Sequence, residues 1–106
     1  MGEITEKEFI AVMMAYIIQQ INDLKRFAKI LSSKKIDTLT FGIILEMEST
    51  ITNSLKTNLQ YWFKYLATKA TGEELVFYQD DDGAVSFEQV PFYSQETIDK
   101  IVNGVV

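Results

Sequence analysis

The chain reads as an α+β domain: a long antiparallel helical hairpin followed by a β-hairpin and a short C-terminal helix. Three observations lead there. Apolar residues recur at alternating three- and four-residue steps from Ile10 to Leu31, and they step by four along a second stretch from Met47 to Phe63. Beyond Gly72 the period drops to two, over two short runs separated by Asp80-Asp81-Asp82-Gly83. Those periods belong to helix and strand respectively.

Composition narrows the functional classes. With 106 residues, 47% of them hydrophobic, one Pro and five Gly, positions 1–106 are expected to form one domain with a true core. The chain has no Cys and no His. Disulfides, thiolate sites and imidazole ligands are thereby excluded, as is the usual general base near neutral pH. Net charge is −5 and the Lys and Arg residues are scattered, so no basic patch favours direct nucleic-acid binding. Glu3, Glu6 and Glu8 stand where a signal peptide carries basic residues. The unbroken apolar run from Phe9 to Ile18 is shorter than the roughly 20 residues that span a bilayer. A cytoplasmic protein without membrane contact is expected.

Thr5 followed by Glu8 forms a capping box that opens the first helix, expected over about residues 5–32. Ile10, Ile17, Leu24 and Leu31 fall at every seventh position, with Met14, Ile21 and Ala28 between them. Phe9, Met13, Ile18, Phe27 and Ile30 widen this seam into a broad face that one neighbouring helix cannot cover. A homo-oligomer is therefore expected, in its simplest form a dimer making a four-helix bundle. Its interface would hold Ile10, Met13, Met14, Ile17, Ile18, Ile21 and Leu24. The cations Lys25, Arg26 and Lys29 suit the negative end of the helix dipole.

A short polar link over 32–37 favours antiparallel return, and Asp37, Thr38 and Thr40 are each suitable N-caps. The second helix is expected over about 38–70, with Gly72 as the residue just past its end. Near that end stand Tyr61, Trp62, Phe63 and Tyr65. Consecutive residues point to different sides of a helix, so Trp62 and Phe63 are placed inward and Tyr61 and Tyr65 on an exposed flank. Tyr61, Trp62 and Tyr65 are the candidate binding surface.

The β-hairpin spans about 75–90. A turn through Asp81 and Asp82 with left-handed Gly83 puts Phe77 opposite Phe87 and Gln79 opposite Val85, collecting Leu75, Phe77, Val85 and Phe87 on one face. Pro91 should end the ladder. Tyr93, Ser94 and Ile98 form a staple around the start of a helix over about 95–103, with Ile98, Ile101 and Val102 turned inward.

No residue set selects a reaction. Asp80, Asp81 and Asp82 fail the calcium-loop pattern, because Tyr78 and Gln89 would occupy its first and last ligand places. They read as a solvated turn. No catalytic residue, metal ligand or cofactor is assigned. The composition suits a non-catalytic, acidic protein-interaction module, a regulator or inhibitor that binds another protein as a homo-oligomer. A small-molecule or nucleotide-binding oligomer, with an aromatic-lined site at the end of the bundle, is the alternative.

Overall fold

The helical arm is set by two capped helices. The computed structural model describes residues 2–90 and 95–104. Helix α1 runs Glu6–Leu31 and α2 runs Thr38–Ala70. At the start of α1 the Thr5 hydroxyl accepts the Glu8 N–H at 3.1 Å, while a Glu8 carboxylate oxygen accepts the Thr5 N–H at 3.3 Å. Asp37 supplies the second cap, accepting the Thr40 N–H at 2.8 Å. The bonds from Thr40, backbone first and hydroxyl second, hold the Asp37 carboxyl below its usual range. Past the end of α2, Gly72 takes φ +78°, which an L side chain rarely adopts.

Three cross-links fix the antiparallel register. Gln20 on α1 donates to the Ser54 hydroxyl at 2.8 Å and accepts from the Asn58 side chain at 3.0 Å. Lys69 near the end of α2 pairs with Glu6 at the start of α1, 2.6 Å apart. That bond raises the Lys69 ammonium above its ordinary range.

The strands form a three-stranded antiparallel sheet, β1 (Gly2–Ile4), β2 (Leu75–Gln79) and β3 (Val85–Gln89), in the order β1-β2-β3. The β2–β3 register is the one read from the sequence, with Phe77 opposite Phe87 and Gln79 opposite Val85. Gly83 sits at φ +87°, as the bulged turn demands. Strand β1 is an addition to the expected hairpin. It pairs Ile4 with Phe77 and Gly2 with Gln79, so β2 becomes the central strand. Three residues carry too little alternation to announce a strand, and only the proximity of β2 gives their backbone partners.

The sheet lies on one side of the arm, where Phe9, Met13 and Ile17 of α1 meet Tyr65 of α2 and Phe77 of β2 in the core. Phe9 is fully buried. Met13 and Ile17, expected at a subunit boundary, are instead buried in the chain's own core, among residues of α2 and the sheet. Ile10 and Leu24 are half-buried. Only Met14, Ile18 and Ile21 of the expected interface remain exposed. The reason is geometric: the apolar arc of α1 is wide enough to serve two neighbours, and α2 and the sheet take one side of it.

Helix α3 (Gln95–Val102) closes the described chain. Its apolar residues Ile98, Ile101 and Val102 are exposed rather than turned inward. Eight residues with one apolar stripe gain little from folding onto a body whose core is already closed. Pro91, Tyr93 and Ser94 lie outside the described residues.

The radius of gyration is 21.1 Å and the long axis 75 Å. A compact chain of this length has a radius near ~13 Å. The excess comes from the arm, whose outer half extends beyond the sheet.

Candidate functional site

Five rings converge where the arm meets the sheet. The Phe9 ring stands 4.9 Å from Phe77, 5.2 Å from Tyr65, 5.9 Å from Phe87 and 6.4 Å from Tyr61, centre to centre. Edge-on and tilted pairs of this kind are favourable because ring edges and faces carry opposite partial charge. Spacing alone puts position 65 on an exposed flank. The structure reverses this: Tyr65 is in the core, Phe63 is 62% exposed, and Tyr61 and Trp62 are half-buried. The sheet covers the flank of α2 that carries Tyr61 and Tyr65, and helical spacing cannot say which flank a later hairpin will cover. Burial, with the nearby Glu6 charge second, raises the Tyr65 hydroxyl above its ordinary range.

Of the candidate binding residues, Tyr61 lines an open groove. That groove, of about 480 Å³, lies between α1, α2 and the start of β3, bounded by Tyr16, Asn58, Tyr61, Lys64 and Val85. Both phenol groups are already engaged. The Tyr16 hydroxyl donates to the Gly83 carbonyl at 3.3 Å, and the Tyr61 hydroxyl accepts the Phe87 N–H at 2.9 Å. The Lys64 ammonium stands 6.0 Å from the centre of the Phe87 ring. An apolar floor with one cation at its rim can hold a small flat ligand. Tyr16 carried no sequence signal, since its role depends on meeting a turn 67 residues away.

A second surface lies on the side of the arm that the sheet leaves bare. Met14, Ile18 and Ile21 on α1 are exposed, as are Phe63 and Leu66 on α2. A shallow depression of about 430 Å³ runs along α2 there, past Leu55, Leu59 and Phe63. Helical spacing puts Phe63 and Leu66 on the inward face of α2. Their exposure follows from α1 meeting α2 along a different line.

The acidic turn is structural. A carboxylate oxygen of Asp80 accepts the N–H groups of Asp82 and Ala84, each at 2.9 Å. Among the described residues no group of three or more Asp or Glu could hold a metal ion, and no helix is long and apolar enough to cross a membrane. Compared with known proteins, the chain matches no family model, no curated protein and no solved structure.

Proposed function

We propose that this protein is a non-catalytic interaction module, a regulator or inhibitor whose working surface is the bare face of its helical arm. The observation that carries this is the exposure of Ile18 (52%) and Phe63 (62%) on one side of a helix pair whose other side is covered by a sheet. Contiguous apolar surface beyond a few hundred Å² on a water-exposed face marks an interaction site. The acidic balance of −5 keeps such a surface dispersed and disfavours association with nucleic acid. Replacing Ile18 and Phe63 by Ser tests the reading: binding of an environment-sensitive naphthalene dye should fall while the helical spectrum is retained. Equal dye binding in both proteins, compared at a dilution where both sediment as monomers, overturns it.

The groove beside Tyr16, Tyr61 and Lys64 supports a second reading, binding of a small planar ligand. Trp62 and Tyr65 have no part in it. A thermal-shift screen over nucleotides and aromatic metabolites addresses this, because a ligand bound only by the folded chain raises its melting temperature.

A further inference from the structure

The bare face has a definite length, width and register, and these select what covers it. Helical residues advance by about 100° each. On α1, Ala11, Met14, Ile18 and Ile21 follow one another at three- and four-residue steps, and Lys25 carries the stripe on to Ala28, beside the stripe that faces α2. On α2, Leu55, Leu59, Phe63 and Leu66 follow a similar stripe, which the polar Thr52 and Glu48 carry on to Leu45. The bonds from Gln20 to Ser54 and Asn58, and from Lys69 to Glu6, set Met14 level with Phe63 and Ile18 level with Leu59. The two stripes therefore lie side by side on the face opposite the sheet.

Resting on the interaction-face reading above, we infer that the occupant is a second copy of this chain, its arm laid on this one about a twofold axis to form a four-helix bundle. Leu45 to Leu66 spans about 32 Å along α2, and two helices side by side are about 20 Å wide. The product, about 640 Å² of flat footprint, approaches the ~800 Å² that each partner contributes to a stable interface. A single helix or a short peptide covers half that width. A second helical pair of the same length covers it all, and the four-helix bundle is the packing that two such layers adopt. A twofold axis also lets one apolar stripe pair serve both partners. The elongated chain, with its radius of gyration of 21.1 Å, then becomes half of a compact body.

Sedimentation equilibrium on the full chain at micromolar concentration tests this. The expected mass is twice the 12.2 kDa of one chain. The double variant Ile18→Glu, Phe63→Glu should keep the helical spectrum and sediment as a monomer, with self-association weakened at least ~100-fold. Leu39→Glu, at a 75% exposed position near the far end of the arm, should leave the mass unchanged. Any wild-type mass other than two chains overturns the inference, as does a dimer that survives the Glu pair or one that Leu39→Glu dissociates. The dye experiment keeps the two readings apart. A monomer that binds dye through Ile18 and Phe63 loses the second copy yet retains the interaction face. A monomer that binds none loses both.

Discussion

The Tyr61 hydroxyl accepts the backbone N–H of Phe87 at 2.9 Å, so a side chain of α2 stands where a further strand would pair with β3. In the β2–β3 ladder, Ser86 and Glu88 turn their main-chain groups toward Tyr78 and Val76, which leaves the Phe87 N–H pointing away from β2. Unpaired strand edges template association, and covering them is a common defence. Here one helix contributes to the core through Tyr65 and shields an edge through Tyr61.

Tyr61→Phe keeps the ring against Phe9 and Phe87 while removing the acceptor. An unsatisfied N–H costs about 1–3 kcal/mol when water is excluded. The adjoining groove admits water, so a loss of about 1 kcal/mol is expected in urea unfolding, with the m-value unchanged. No measurable loss would show that the bond contributes nothing to stability.

Phe9→Ala should be the most damaging single change among the core positions. The side chain is fully buried and touches rings from α2, β2 and β3. Truncating a buried Phe costs about 3–5 kcal/mol, comparable to the whole stability of a small domain. Phe9→Leu should cost less than Phe9→Ala and leave a folded protein with a lower melting temperature. If Phe9→Ala melts within a degree of the wild type, the arm–sheet junction is not the stabilising centre.

Thr5→Ala removes one half of the capping box and should cost about 1 kcal/mol. Since Thr5 directly follows β1, the change should also loosen the pairing of Ile4 with Phe77. Amide exchange at Phe77 and Gln79 checks this, and faster exchange there than along α2 is the expected outcome.

Asp37 links stability to acid. Its folded carboxyl titrates below the usual 3.8 because it accepts bonds from Thr40. A depressed value means that the contribution is complete above the unfolded pKa and is lost as pH falls through the lowered one. The wild type should therefore lose helix-cap stability only below about pH 4. Asp37→Asn caps without titrating, so its acid transition should lack that component. Identical acid curves for the two proteins would remove Asp37 from the account.

Tyr65 acts at the other extreme. Burial raises its hydroxyl above 10.0, so its contribution is full below the unfolded value and is lost as pH rises through the folded one. Tyr65→Phe should flatten the alkaline fall in stability above about pH 10. Melting temperatures measured across that range give the test.

Local chemistry in the sequence determined both helices, their caps, the hairpin register and the left-handed Gly83. Each depends on neighbours within a few residues: Thr5 with Glu8, Asp37 with Thr40, Asp80 with Ala84. Only the tertiary structure decided which side of each helix became core. The sheet settled on the flank carrying Met13, Ile17 and Tyr65, hiding residues that spacing had assigned to a partner or to solvent and leaving Ile18 and Phe63 bare. A helix apolar through a wide arc is compatible with covers on either side. The choice rests on long-range contacts such as Phe9 with Phe77 and Tyr16 with Gly83, which periodicity does not encode.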